Sequence, residues 1–426
     1  MNPSRAFTTV LMSAVLSLSE KPAGADEAHA QADAFFAAAA ALLPAFQGLP
    51  DPVDPAESQN AGGWDAALNL PHVPVTAANL PDGRVLTYAS NQRTSFPNGA
   101  EFTYAAVWNP STGTVTEINW NQHDMFCGGT VLRADGKFQV MGGRNIVRRS
   151  SVFNWQTNAW SRVADMNDPR WYTASVALPL GDVFTVSGSG GDNTAERFDG
   201  TSWRKYLNIN WSPVATQPTI EANFTPMVFV APDGRIFHAG PTKSMNYVDP
   251  EGNGAVVSAG VQWPGTWYPK DAAIVMYEPG KLLVAGGLAT GSSEIPVNLA
   301  ATIDLYTDPP TVTPIAAMSF ARRFANGVVL PSGEVMVIGG NTSGQKFSDA
   351  GSVLTPEIWN PRTGQWRRVA GMAIPRNYHA VALLLADGRV MAGGSGLAGN
   401  AAVDHANLEV YNPPSHFTAG GAAAVR

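Results

Sequence analysis

"LADGRVMAGG", residues 385–394, reads as a tight turn, a short apolar strand and two closing glycines. Asp387-Gly388 is turn chemistry, and the apolar run of a few residues behind it has the length of a strand, not a helix. A turn followed by an apolar strand ending in small residues recurs six more times: "LPDGRVLTYAS" (80–90), "RADGKFQVMGG" (133–143), "LPLGDVFTVSG" (178–188), "APDGRIFHAG" (231–240), "YEPGKLLVAGG" (277–287) and "LPSGEVMVIGG" (330–340). Its turn glycines, Gly83, Gly136, Gly181, Gly234, Gly280, Gly333 and Gly388, are spaced by 45 to 55 residues.

Many units end on an aromatic residue and a second turn, as in "VWNPSTGTV" (107–115), "IWNPRTGQW" (358–366) and "VYNPP" (410–414). Turn, strand, Gly-Gly, then aromatic plus turn is the kelch type of propeller repeat. Each unit makes one four-stranded blade, and stacking the blades buries faces that none could bury alone. Seven units predict an all-β, seven-bladed kelch-type β-propeller over residues 62–415, preceded by a short helical segment and followed by a tail at 416–426.

Composition agrees. Charged residues make up only 14% of the 426, while Gly (42) and Pro (32) are plentiful, as turn-rich β-proteins require. The net charge of −7 is dispersed and no Lys/Arg run reaches patch length, which argues against nucleic acid as a partner.

The first 25 residues read as an export signal: Arg5, an apolar stretch from Ala6 to Leu18, then small residues at Ala23-Gly24-Ala25. A disordered tail is the alternative. Residues 26–61 hold an Ala/Leu/Phe-rich stretch expected to form a helix limited by Pro44, then a linker. A longer membrane anchor is the alternative there, but the apolar stretches are short for a span and no stable insertion is expected. The expected product is a secreted or otherwise extracytoplasmic monomer.

Export sharpens a question about Cys127, the chain's only cysteine. Exported proteins use cysteines in pairs, so an odd one is either reactive or a small buried hydrophobe. The turn glycines provide a ruler. Nine residues before Gly136 lies Cys127, nine before Gly181 lies Tyr172, and nine before Gly388 lies His379 with Tyr378 beside it. The same offset gives Pro74, Thr225, Asp271 and Phe324 in the other blades. Residues at one offset are expected to gather at one end of a propeller axis. A thiol, two phenols and an imidazole there suit Cu(II), and a thioether from the cysteine would make a phenol easier to oxidise. The bland reading is that the tyrosines fill the channel mouth and the histidine is structural.

The sequence resembles the galactose oxidase and glyoxal oxidase family, the copper radical oxidases, in "HDMFC" (123–127), "PRWYTAS" (169–175), "LTPEIWNP" (354–361) and "PRNYHAVALLLADGRVMAGG" (375–394). The resemblance covers about residues 62–415. It implies a Cys127–Tyr172 thioether, with Tyr172 as copper ligand and radical site. It further implies Tyr378 as axial ligand and general base, and His379 as nitrogen ligand. His123 and Asp124 become supporting hydrogen-bond residues. The implied reaction oxidises a primary alcohol, carbohydrate or small aldehyde with O2 to give H2O2, and needs no organic cofactor.

Two departures from the family stand out. Its second histidine ligand comes from a C-terminal β-sandwich that would begin about where this sequence stops. Three copper ligands are therefore expected here, Tyr172, Tyr378 and His379, whether as a fragment of a longer oxidase or as a chain that has lost catalysis and kept the propeller. His72, just before Pro74, is a candidate for facing the channel, but neither it nor His29, His238, His405 or His416 is assigned. Gly190 also stands where galactose oxidase has a tryptophan over its crosslinked tyrosine, and "TIEANFTPM" (219–227) lacks the arginine that holds galactose. A smaller alcohol or aldehyde fits better than galactose. The rival function is a non-catalytic propeller that binds a glycan or protein.

Overall fold

The computed structural model describes residues 62–191, 194–211, 226–290 and 295–414. The expected export signal, helical segment and tail, with Thr225, His29 and His416, lie outside the described residues. Described strands fall into seven antiparallel sheets, and the fold is an all-β, seven-bladed propeller. Blade one, for example, runs through Thr76–Asn79, Val85–Tyr88, Ala105–Trp108 and Val115–Glu117, each strand paired with the next. The second strand of each unit is its most buried one; Val85–Tyr88, Phe138–Met141, Val183–Val186 and Val335–Ile338 are buried throughout.

Blade seven is built from both ends of the described chain. Its strands Ala380–Leu384, Val390–Gly394 and Asn407–Asn412 are joined by Gly63–Trp64, which pairs with Asn412 and Tyr411. Trp64 then donates its indole N–H to the Ala370 carbonyl at 2.8 Å and tilts against the Tyr411 ring at 5.4 Å. An edge that would otherwise lie open is thereby covered.

The chain divides into two compact units. One holds residues 127–262 and 305–311, hence blades two to four. Its core includes Phe184, Tyr206, Trp211, Ile236 and Val248, from blades three and four. The other holds residues 62–126, 263–304 and 312–414, and one of its clusters joins Met336, Ile358, Val390 and Tyr411 of blades six and seven. Within each unit the first strands of consecutive blades lie side by side. Each large apolar side chain buried this way contributes roughly 1.5–3 kcal/mol.

The Gly-Gly that closes the second strand of blades two, five and six has a steric cause. Gly142, Gly286 and Gly339 have φ of 67, 87 and 69°, and a Cβ there would collide with the carbonyl oxygens of Arg170, Arg322 and Arg376 respectively. The following glycines, Gly143, Gly287 and Gly340, donate their N–H to those same carbonyls at 2.8, 3.1 and 2.7 Å. Consecutive blades are thus stitched where only glycine fits.

The three arginines form a buried repeat of their own. Arg170, Arg322 and Arg376 ion-pair with Glu196, Glu357 and Glu409 at 3.0, 2.7 and 3.0 Å, with both side chains at most 1% exposed. Each glutamate also accepts two backbone N–H groups, from Asn167 and Asp168, Ser319 and Phe320, and Ala373 and Ile374. A buried ion pair so fully hydrogen-bonded offsets the cost of desolvating its charges. In blade five Trp267 takes the arginine's place, its indole N–H donating to the Gly286 carbonyl at 2.8 Å.

Candidate active site

The position nine residues before the turn glycine has a distinct backbone conformation. Cys127, Tyr172, Asp271, Phe324 and His379 all adopt positive φ, at 57, 62, 56, 67 and 69°. Non-glycine residues rarely sit in this region, at a cost of roughly 1–3 kcal/mol, and persist there when their surroundings enforce it. The enforcing contact is visible in two blade pairs. The Tyr172 N–H donates to the Cys127 carbonyl at 2.9 Å, and the Phe324 N–H donates to the Asp271 carbonyl at 2.8 Å. Five blades thus carry one strained residue at the same offset, and in two blade pairs it is linked to its counterpart in the next blade.

In the unit of blades two to four this places Cys127 and Tyr172 on adjacent blades, both partly buried. The ring of Tyr172 is covered by Trp171, with centroids 4.6 Å apart and planes at 44°. The Arg144 guanidinium lies 4.8 Å from the centroid of that indole. Gly190 supplies no aromatic to Tyr172, and the ring contact comes instead from that tyrosine's own neighbour Trp171. Position 190 could not easily hold a side chain: its φ is 88°, and a Cβ would meet Ile146 at 2.6 Å and the Pro169 carbonyl at 2.8 Å.

The other unit holds Tyr378 and His379, whose rings stack with centroids 4.0 Å apart. Gly394, Ser395, Gly396 and Leu397, all at positive φ, form a strap beneath them. Its Gly396 N–H donates to the Tyr378 carbonyl at 2.9 Å, and its Gly396 carbonyl accepts from His379 Nδ1 at 2.7 Å. That bond fixes the proton on Nδ1 and leaves Nε2 as an acceptor. Nε2 is closed off from solvent and has no hydrogen-bond partner among the described residues, although an edge of the residue remains accessible. Burial first, then the nearby Lys346 charge, pushes the imidazole down to about 4, so it is neutral at physiological pH. Phe96, Phe126 and Phe347 meet the ring edge-on at 6.0, 5.3 and 5.5 Å.

His123 and Asp124 are fully buried. The His123 carbonyl accepts from Thr103 Oγ1 at 2.7 Å and Asp124 Oδ1 accepts from the Phe126 N–H at 3.3 Å, which holds the turn leading into Cys127. His72 does not behave as a channel-facing ligand. It is fully buried, its Nε2 lies 3.2 Å from Thr87 Oγ1, and burial pushes it down to about 4. It sits two residues before Pro74, as Arg170 sits two before Tyr172, so it occupies the slot of the structural arginine. His238 is also buried, with Nδ1 3.4 Å from Asn246 Nδ2, and His405 pairs with Asp349 at 3.0 Å. Among the described residues no three His, Cys, Asp or Glu side chains converge in a metal-binding group.

Fold and side chains define a class: a seven-bladed propeller whose repeat position presents thiol, phenol and imidazole groups capable of redox and metal chemistry. The chain belongs to the glyoxal oxidase family, since the model of the glyoxal oxidase N-terminus matches residues 75–407. It is 33% identical over 388 residues to a galactose oxidase of Gibberella zeae, covering 86% of this chain and 57% of that one. To the aldehyde oxidase GLOX of Vitis pseudoreticulata it is 27% identical over 254 residues, 55% of this chain and 48% of the relative. The chain thus spans about half the length of these relatives. A fungal alcohol oxidase of the AA5 family, solved in complex with copper, superposes with a TM-score of 0.80 at 30% identity, over 86% of this chain and 79% of that one.

Proposed function

We propose that the protein is a copper radical oxidase that oxidises a primary alcohol or a small hydrated aldehyde and reduces O2 to H2O2. The observation that carries this reading is the buried, neutral, unpartnered Nε2 of His379 stacked against Tyr378. Membership of the glyoxal oxidase family and likeness to an oxidase solved with copper support it. The donors fit the metal, because imidazole nitrogen and phenolate oxygen suit Cu(II). In this reading Tyr172, Tyr378 and His379 hold the copper, which when bound supplies a one-electron acceptor.

The chain's own residues perform the rest. The Tyr378 phenolate oxygen takes the proton from the substrate hydroxyl as general base. Tyr172, in its one-electron-oxidised form, accepts the second electron, and a thioether to Cys127 makes that oxidised form easier to reach. Forming that bond removes the thiol hydrogen and one ring hydrogen, which reduce O2 to H2O2. The His379 Nδ1–H, held by Gly396, keeps Nε2 aimed and deprotonated. Small substrates fit better than galactose. The same reading takes residues 1–25 as an export signal and the protein as a secreted monomer.

Tyr172→Phe tests the assignment. With copper and oxygen present, it is expected to lose peroxide production from all alcohols and aldehydes while keeping the circular dichroism and unfolding midpoint of the parent. Peroxide formation at the parent rate in that variant would remove the radical from Tyr172.

A further inference from the structure

Blade six carries two consecutive arginines, Arg322 and Arg323. Arg322 belongs to the buried Arg–Glu repeat, but Arg323 does not. It stands ten residues before the turn glycine Gly333, a slot filled by Phe126, Trp171 and Tyr378 in blades two, three and seven. A guanidinium that is only 1% exposed in so aromatic a slot persists because it is paired. Its planar fork points two ways: Nε donates to Asp271 Oδ2 of blade five at 2.7 Å, and Nη1 donates to the Gly344 carbonyl at 2.9 Å. Gly344 lies in the loop of residues 339–356, between strands Val335–Ile338 and Glu357–Trp359. The loop is further tied to Arg323 through Asn341, which exchanges two backbone bonds with it at 3.2 and 3.0 Å. Asn341 Oδ1 accepts the Gly344 N–H and its Nδ2 donates to the Gln345 carbonyl, both at 2.9 Å.

Both arms of this clamp lead to the ring of Tyr378. On one side the guanidinium carbon lies 4.5 Å from the centroid of Phe324, whose ring meets Tyr378 edge-on at 5.2 Å. On the other, Phe347, three residues beyond Gly344, meets Tyr378 at 5.1 Å and His379 at 5.5 Å. Phe347 has φ of 51° and Phe324 has φ of 67°, conformations that bulky side chains keep only where their surroundings impose them. Asp271 and the Gly344 carbonyl, bridged by one rigid side chain, supply that constraint for both rings.

We infer that Arg323 is a positioning residue: it fastens Phe324 and Phe347 against Tyr378 and so fixes the orientation from which that phenolate takes the substrate proton. The proton transfer rests on the oxidase reading; the fastening of the ring does not. Arg323→Lys is the discriminating variant, because an ammonium still pairs with Asp271 but lacks the fork that reaches the Gly344 carbonyl at the same time. Loaded with copper and given the best of a panel of short primary alcohols and aldehydes, it is expected to keep the parent's unfolding midpoint. Its kcat should fall about tenfold while KM changes by at most about twofold, as for a misaimed base. Asp271 has φ of 56°, which glycine and asparagine both tolerate. Asp271→Gly should match the loss in Arg323→Lys, and Asp271→Asn should recover most of it, since the amide oxygen still accepts from Nε. The double variant Arg323→Lys/Asp271→Gly should be no slower than either single one. Copper-free protein carrying 3-fluorotyrosine gives a readout without turnover. Its Tyr378 resonance, assigned by its loss in Tyr378→Phe, should shift and broaden in Arg323→Lys and Asp271→Gly. An unmoved resonance overturns the inference, as do a parental kcat in Arg323→Lys and additive losses in the double variant. A moved resonance in a protein whose parent makes no peroxide from any member of the panel defeats the oxidase reading alone.

Discussion

The backbone N–H of Tyr172 donates to the carbonyl of Cys127 at 2.9 Å, joining two residues of adjacent blades that both adopt positive φ. The bond spans the place where one blade hands over to the next, and it holds the thiol-bearing and phenol-bearing residues in the same strained conformation. Copper-loaded protein exposed to oxygen is therefore expected to join Cys127 to Tyr172. A tryptic digest should yield the linked peptides at their summed mass less two hydrogens. A thiol that remains fully alkylatable after loading would rule the crosslink out.

The repeat unit and the ruler of turn glycines were legible because a blade is a local object with fixed turn chemistry. Counting nine residues back singled out Cys127, Tyr172 and His379, and those positions do share one backbone state. The Arg–Glu repeat left a signal that was available but unread: "MNDPR" (166–170), "MSFAR" (318–322) and "MAIPR" (372–376) each place an arginine four residues after a buried methionine. With that signal in hand, His72 reads as an arginine substitute in blade one. Ring orientation was not legible at all. Whether Trp171 covers Tyr172 depends on the φ that Tyr172 is forced to adopt, a property of two blades together.

Trp171 gives a prediction specific to this chain. Its indole packs at a tilt against Tyr172 with centroids 4.6 Å apart, an aromatic contact worth about 0.5–1.5 kcal/mol beyond its buried area. Trp171→Ala should expose the ring and shorten the lifetime of the oxidised Tyr172, read as decay of its optical or electron paramagnetic resonance signal. Trp171→Phe should restore much of that lifetime. An unchanged decay in the alanine variant would mean that Trp171 does not protect the ring.

The buried ion pairs predict a large and asymmetric cost. Arg322→Met leaves the Glu357 carboxylate charged and fully buried, which should lower stability by about 3–5 kcal/mol. Adding Glu357→Gln removes the charge while one side-chain oxygen can still accept from the Ser319 or Phe320 N–H. The double variant should be more stable than Arg322→Met alone. Denaturant midpoints decide this, and a double variant weaker than the single would show that the carboxylate's backbone bonds outweigh its unpaired charge.

Acid should destabilise the propeller through two histidines outside the candidate site. Burial pushes His72 and His238 down to about 4, from an ordinary value of 6.5. Between those values the unfolded chain binds protons that the folded chain refuses. Stability therefore falls as pH drops from about 6.5 towards 4, by about 3 kcal/mol for each histidine at the lower end. His72 keeps its Nε2 beside Thr87 Oγ1, and His238 lies edge-on to Trp211 at 5.0 Å, so neither has room to hydrate a charge. Glutamine at both positions should lower stability at neutral pH, since buried contacts are lost, yet flatten its decline between pH 7.5 and 5. If the parent and the double variant lose the same stability over that interval, the acid sensitivity has another source.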